Sequence, residues 1–118
     1  MSDESLTLLY NPRCSKCREA LSLLHERGVE PEIVEYLTTP PTAADLEEIL
    51  ARLGVEPREL MRTKEPEYRQ LGLDDPTLPR ERLVQAMVEH PRLIERPIAI
   101  SGGKAVIGRP PVKVLDVL

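Results

Sequence analysis

The sequence lacks phenylalanine and tryptophan, and Tyr10, Tyr36 and Tyr68 are its only large aromatic side chains. Proteins that bind single-stranded nucleic acid stack the bases on aromatic side chains, and this chain offers few of them. Its formal net charge of −4 also provides no overall positive field for a phosphate backbone. We therefore expect no direct nucleic-acid partner.

Long apolar runs are also missing. No run approaches the about 20 residues that a membrane-spanning helix requires. Asp3 and Glu4 precede the short apolar run of residues 6–10, whereas a secretory signal begins with positive charge and continues with a longer apolar stretch. We therefore expect no membrane partner and a cytoplasmic location, where thiols are kept reduced.

The first third of the chain has the pattern strand–helix–strand. The apolar run of residues 6–10 predicts a buried strand that ends in a turn. From Ser15 onwards apolar residues recur at helical spacing, and Gly28 fits the position that follows a helix C-terminus. Residues 32–36 predict a second strand.

Helical patterns fill the middle of the chain, and a hairpin pattern follows. Thr42 with Asp45 three residues later is typical of a helix cap. Further short helices are expected over residues 57–62, 65–71 and 79–89. Two apolar runs, residues 98–100 and 105–107, flank Gly102 and Gly103, whose positive φ angles would allow a tight turn. A last short helix is expected over residues 112–118.

This order predicts an α/β fold in which a mixed four-stranded sheet is covered by helices. The 118 residues suffice for one domain, residues 1–118, with a helical insertion over about residues 38–95 between the strand–helix–strand unit and the C-terminal hairpin. The arrangement is similar to thioredoxin-like folds. In those folds the proline before such a strand is cis and faces the reactive cysteine, so we expect Pro97 to be cis.

Cys14 and Cys17 are the only cysteines, and they lie where the first strand gives way to the first helix. Free backbone N–H groups and the positive end of the helix dipole favour a thiolate at that point. Cys17 lies on the core-facing stripe of the helix and also fits a buried, unreactive thiol. Cys14 lies in a turn between Arg13 and Lys16, an electropositive setting that favours reactivity. We expect Cys14 to be the nucleophile.

In a reduced compartment, a Cys-x-x-Cys pair indicates either redox chemistry or metal binding. Structural zinc requires two further ligands at recognisable spacing, and His25 and His90 stand isolated in the sequence. We therefore expect no metal.

Three arginines are candidate anion ligands: Arg62, Arg96 and Arg109. A guanidinium group presents a planar fork of donors that suits a tetrahedral oxyanion, although most arginines are surface charges. Arg96 and Arg109 lie just before and just after the predicted hairpin, at loop–strand junctions where binding sites are commonly built.

Four blocks, in this order along the chain, resemble the glutaredoxin-coupled arsenate reductases: Asn11-Pro12-Arg13-Cys14, Leu60-Met61-Arg62, His90-Pro91 with Glu95-Arg96-Pro97-Ile98, and Gly108-Arg109-Pro110-Pro111. The resemblance implies that Cys14 attacks arsenate while Arg62, Arg96 and Arg109 hold the oxyanion. It also implies that arsenic is reduced to arsenite with glutathione as a co-substrate, and that a glutaredoxin resolves the glutathione mixed disulfide. No bound cofactor is implied.

Two positions depart from that family. Tyr10 stands where the family has a histidine that helps to activate the thiol, and Cys17 adds a second cysteine. Cys17 is a possible resolving residue or disulfide partner of Cys14, which leaves two alternatives open. One is a redox-switched regulator similar to the Spx-type proteins that bind RNA polymerase. The other is a general dithiol–disulfide oxidoreductase.

Overall fold

The computed structural model describes residues 6–118, so the acidic start with Asp3 and Glu4 lies outside the described residues. These residues form two compact units, residues 6–39 with 96–118 and residues 40–95. The first unit contains β1 (Leu6–Leu9), α1 (Ser15–Glu26), β2 (Glu32–Val34), β3 (Ile98–Ser101), β4 (Lys104–Ile107) and a 3₁₀ helix (Pro111–Val117). The second contains α2 (Ala43–Leu53), α3 (Pro57–Leu60), α4 (Pro66–Gln70), α5 (Arg80–Glu89) and a 3₁₀ turn (Pro91–Leu93).

The four strands form one mixed sheet in the order β2-β1-β3-β4. β1 runs parallel to β2 and antiparallel to β3, and β3 pairs with β4 as a hairpin. This confirms the predicted mixed α/β sheet. In the register, Leu9 at the end of β1 lies opposite Val34 on one side and Ile98 on the other. The end of β1, the end of β2 and the start of β3 therefore meet at one edge of the sheet.

One apolar cluster forms the core of the first unit. It joins β1, one face of α1, β3 and the last 3₁₀ helix through the side chains of Leu6, Leu8, Ala20, Leu24, Ala99, Val114 and Val117. Ala20 and Leu24 are one helical turn apart and face the sheet, as the spacing predicts. Gly28, with a φ of 74°, follows the end of α1 in the left-handed conformation that ends many helices.

The second unit is helical, and it begins with a complete capping box. The Thr42 side chain accepts a hydrogen bond from the Asp45 N–H, and the Asp45 side chain accepts one from the Thr42 N–H, both at 3.1 Å. Gly54, with a φ of 70°, ends this helix. None of the helices among residues 6–118 is both long enough and apolar enough to cross a membrane.

Several predicted boundaries need correction. The helix predicted over residues 57–62 ends at Leu60, because the Arg62 N–H donates to the Leu93 carbonyl, 2.6 Å away, instead of continuing the helix. The second strand ends at Val34, because its partner β1 ends at Leu9.

The turn and the last helix also differ from expectation. Only Gly102, with a φ of 60°, takes a positive φ; Gly103 does not, which is the pattern of a type II′ turn. The last helix is a 3₁₀ helix, Pro111–Val117, that begins one residue earlier than expected; proline is tolerated at its first position because the N–H groups of a first turn have no partner within the helix.

Candidate active site

Cys14 is the residue that caps the N-terminus of α1. Its φ of −95° and ψ of 121° are extended, and its carbonyl accepts the first helical hydrogen bond, from the Arg18 N–H at 3.1 Å. The preceding turn is closed by the Cys14 N–H, which donates to the Asn11 carbonyl at 2.9 Å. The Asn11 side chain also accepts from the Arg13 N–H at 3.0 Å. The turn thus fixes the Cys14 sulfur at the positive end of the helix.

The environment of Cys14 favours its thiolate. Burial raises the pKa of the Cys14 thiol, but the Cys17 backbone N–H, the Arg96 guanidinium and the Cys17 thiol together lower it below the ordinary value of 9.0. The Cys14 side chain forms no capping hydrogen bond that meets the geometric criteria of a full bond. The N–H groups at this helix start remain available to a negative sulfur.

Cys17, one turn further along α1, is driven the other way. It has no exposed surface, whereas Cys14 keeps 8% of its own. Burial, together with the nearby Cys14, raises the pKa of Cys17 to about 12. Both residues are free thiols. The site therefore pairs a sulfur whose pKa is lowered with one whose pKa is raised.

The source of the lowered pKa differs from the sequence-based expectation. The Arg13 and Lys16 side chains are exposed, and the charge that lowers the pKa of Cys14 is that of Arg96. Exposed charges are screened by water, so neighbours in sequence contribute less than a partly buried guanidinium brought in by the fold.

Arg96 and Arg109 lie two residues outside the β3–β4 hairpin, one before it and one after it. The Arg109 side chain donates from Nε to the Arg96 carbonyl oxygen at 2.8 Å. The peptide bond between Arg96 and Pro97, which was expected to be cis, is cis. The bond between Arg109 and Pro110 is also cis, and the sequence analysis did not anticipate it. The structure therefore brings Cys14, Cys17 and Arg96 together and ties Arg109 to the Arg96 backbone.

Arg62 belongs to the other unit, residues 40–95, where two carboxylates accompany it. Its Nη1 lies 3.5 Å from an oxygen of Glu65, and its Nε lies 3.7 Å from an oxygen of Glu95. Glu65 also pairs with Arg92 at 3.1 Å. Arg62 is thus part of a local charge network.

Tyr36 is a site residue that the sequence analysis missed. It is fully buried, and the titratable groups near it are Arg96, Cys17 and Cys14. Burial raises the pKa of Tyr36 to about 12, while the Arg96 charge opposes that rise. A strand-like run of residues 32–36 suggested an ordinary core tyrosine. Its position beyond the end of a strand parallel to β1 was the signal that could have identified it.

Tyr10 is only partly buried, and its N–H donates to the Val34 carbonyl at 2.9 Å. Across the described part of the chain, no three side chains of the metal-binding types gather closely enough to hold a metal ion. The site thus places the Cys14 thiol, with its lowered pKa, beside the positive charge of Arg96 and next to the Cys17 thiol, with its raised pKa. This arrangement suits nucleophilic attack by Cys14.

Comparisons with known proteins agree with this arrangement. The sequence profile of the ArsC family matches residues 9–117. The chain is 53% identical to "Uncharacterized protein YfgD" of Escherichia coli over 98% of both chains. It is 49% identical to "Arsenate reductase" of Neisseria meningitidis over 89% of this chain and 91% of that one.

A solved structure, "Arsenate reductase from Vibrio cholerae", superposes with a TM-score of 0.95 at 45% identity and covers 98% of both chains. This agreement confirms the thioredoxin-like α/β fold. With a profile match over nearly its whole length and relatives at about half identity, the chain belongs to the ArsC family.

Proposed function

We propose that this protein reduces arsenate to arsenite, with Cys14 as the nucleophile, glutathione as co-substrate and a glutaredoxin as the final thiol donor. Family membership and the relatives named as arsenate reductases support the substrate. The observation that carries the proposal is the lowered pKa of Cys14 beside the Arg96 guanidinium. A thiolate is the form of cysteine that attacks an electrophilic centre.

The proposed reaction balances as follows. The Cys14 thiolate forms a bond to arsenic(V) and displaces one arsenate oxygen, which leaves as water after taking up protons. A glutathione thiolate then attacks the Cys14 sulfur. The new S–S bond forms as the S–As bond breaks, and the electron pair of that bond stays on arsenic, which departs as arsenite. A glutaredoxin thiol then attacks the mixed disulfide and returns Cys14 to its starting form.

Arg96 and Arg109 are proposed to hold the arsenate oxygens and to stabilise the charge that develops as the S–As bond forms. The hydrogen bond from the Arg109 Nε to the Arg96 carbonyl oxygen keeps the Arg109 guanidinium at the hairpin end, close to the Arg96 backbone. Arg62 is proposed as the third ligand. Its ion pairs with Glu65 and Glu95 would then have to weaken so that the Arg62 charge can act on the oxyanion.

The direct test is arsenate-dependent oxidation of NADPH, coupled through glutathione reductase and a glutaredoxin. We expect turnover by the wild type and none by Cys14→Ser. Arg109→Met should lose most of the activity, because a methionine fills similar space but provides no donor. If the wild type is no more active than Cys14→Ser, the proposal is refuted. Replacing glutathione and glutaredoxin by a thioredoxin system tests the donor separately.

Cys17 supports a second candidate, a general dithiol–disulfide oxidoreductase. Its thiol interacts with Cys14 across the first turn of α1, which is where a resolving cysteine would stand. Reduction of insulin that survives loss of all three arginines but not loss of Cys17 would favour this candidate. Redox-dependent capture of the RNA polymerase α subunit would favour the Spx-type regulator instead.

A further inference from the structure

Two buried polar atoms at the site lack hydrogen-bonding partners. Among residues 6–118, the Tyr36 hydroxyl and the Arg96 Nε are both inaccessible to water, and neither has a donor or acceptor in bonding geometry. Buried polar groups are nearly always paired, so each such exception asks for an explanation. Here the two exceptions are electrostatic neighbours of one another and of both cysteines.

The sheet explains why these groups meet. Tyr36 lies two residues beyond Val34, the end of β2, and Arg96 lies two residues before Ile98, the start of β3. Val34 and Ile98 are the two register partners of Leu9 at the end of β1. The chain then runs from β1 into the turn that carries Cys14. Tyr36, Arg96 and Cys14 therefore converge at one edge of the sheet.

We propose that Tyr36 is a positioning residue whose hydroxyl oxygen accepts a hydrogen bond from the Arg96 guanidinium and so holds that group against Cys14. The chemistry of the pair is complementary, because an arginine can only donate and a hydroxyl oxygen can accept. The two side chains are close enough to interact, since each affects the pKa of the other through charge and hydrogen bonding. The proposal rests on the proposed function only in taking Cys14 as the reacting thiol.

Arg96 needs such a support. A free arginine side chain has many rotamers, and this freedom must be lost to keep the charge in one place. The Arg109 bond fixes the Arg96 carbonyl, whereas the Arg96 guanidinium interacts with the side chains of Cys14 and Tyr36. The groups that face Cys14 are Cys17, which stays protonated, and Arg96. After the Cys17 N–H, the Arg96 guanidinium has the next largest effect that lowers the pKa of Cys14, so its position affects how far the fold stabilises the thiolate.

The test is the rate of Cys14 alkylation by iodoacetamide as a function of pH, without arsenate. Trypsin cleaves after Lys16, so the two thiols can be quantified in separate peptides. Tyr36→Phe keeps the buried ring and removes the hydroxyl. We expect it to raise the apparent pKa of Cys14 by about one pH unit and to slow alkylation at pH 7 several-fold. Tyr10→Phe is the matched control and should leave the profile unchanged.

A double-mutant cycle separates positioning from a general structural effect. If Tyr36 acts through Arg96, adding Tyr36→Phe to the Arg96→Met variant should cause no further change in the pH profile of Cys14 alkylation. An unchanged profile in Tyr36→Phe alone, or an equal shift in both backgrounds, would overturn the proposal. The alkylation assay needs no arsenate, so its result does not depend on whether the protein has reductase activity.

A second measurement covers the case in which Tyr36→Phe does not fold. The variant with Tyr10→Phe and Tyr68→Phe leaves Tyr36 as the single tyrosine in a chain without tryptophan. We expect its near-UV absorbance to change over the pH range in which Cys14 ionises, and Cys14→Ser to abolish that change. An absorbance change that is the same with and without Cys14→Ser would contradict the proposed proximity of Tyr36, Arg96 and Cys14.

Discussion

Two cysteines three residues apart on one helix have pKa values displaced in opposite directions. Cys14 stands at the helix start, where N–H groups and Arg96 lower its pKa despite burial. Cys17 is only one turn inside, but it faces the core, and burial raises its pKa to about 12. The orientation of each side chain, rather than its distance along the sequence, decides its protonation state.

The raised pKa values predict a loss of stability at alkaline pH. Unfolded Cys17 ionises near 9.0, whereas the folded protein keeps this proton up to about 12. The unfolded state then binds fewer protons, so the free energy of unfolding falls as pH rises from about 9 towards 12. Tyr36 adds to this fall from about pH 10, its ordinary value. We expect Cys17→Ala to show a shallower decline of Tm over this range.

The control is Cys14→Ser. Because folding lowers the pKa of Cys14, its ionisation stabilises the folded protein as pH rises towards 9.0, and this gain is lost as pH falls through the folded pKa. That gain is complete above pH 9.0, so Cys14→Ser should still show the decline between pH 9 and pH 12. Identical slopes in wild type and Cys17→Ala would contradict the assignment.

At this scale the sequence could identify Cys14 and place Arg96 and Arg109 at the ends of a hairpin. It could not identify Arg96 as the charge beside Cys14, since the two residues are 82 positions apart in sequence and meet only through strand pairing. Tyr36 was missed for the same reason. Arg13 and Lys16 attracted attention because they are adjacent in sequence, but their side chains are exposed.

Among the helices, α2 has the most complete start signal. Both bonds of its capping box are formed, between Thr42 and Asp45. We expect Thr42→Ala to lower the free energy of unfolding by about 1 kcal/mol, because the Asp45 N–H at the helix start loses the hydroxyl oxygen that accepts its hydrogen bond. Thr42→Ser keeps the hydroxyl and should cost much less. Urea denaturation distinguishes the two variants, and equal losses would argue against the cap as the cause.

Gly108, between β4 and the last 3₁₀ helix, has no space for a side chain. A Cβ placed there would lie 2.7 Å from the Val114 Cγ1 and 2.8 Å from the Pro97 Cγ. Both neighbours are buried, so we expect Gly108→Ala to lower the free energy of unfolding by about 1–3 kcal/mol. Gly103→Ala is the matched control, since its Cβ would meet nothing within 4 Å and its φ is not positive. A loss of the same size at both positions would refute this explanation.

Element boundaries were predicted well where local chemistry sets them. The capping box of α2 and the glycines after α1 and α2 depend on neighbouring residues alone. Boundaries set by tertiary pairing were predicted less well. Arg62 leaves its helix because its N–H donates to Leu93, and β2 stops where β1 stops.

At the scale of the whole molecule, an oxyanion ligand should stabilise the folded chain. At ten times its Kd, a ligand that binds only the native state adds about 1.4 kcal/mol, which raises Tm by several degrees in a protein of this size. We expect arsenate to produce such a rise, and sodium chloride at equal ionic strength to produce none. Arg109→Met should reduce it strongly, and an undiminished rise in that variant would exclude Arg109 as a ligand.

The sheet topology followed from the order of the patterns. A strand–helix–strand unit forms a parallel pair because its crossover returns the chain in the same direction, and a hairpin forms an antiparallel pair. The pairing of β1 with β3, which brings the two pairs into one sheet, joins residues about 90 positions apart. The unit of residues 6–39 with 96–118 likewise depends on contacts between residues that are far apart in the sequence, on either side of the unit of residues 40–95.

The β3–β4 hairpin has its turn at one end and Arg96 and Arg109 at the other. Ser101 pairs with Lys104 beside the exposed turn, and three residues away, about 10 Å along the strands, Ile98 pairs with Ile107 near Arg96 and Arg109. A short peptide tag inserted between Gly102 and Gly103 could therefore anchor the protein to a surface while its reacting sulfur stays accessible. The same insertion would offer a handle for single-molecule measurements of turnover.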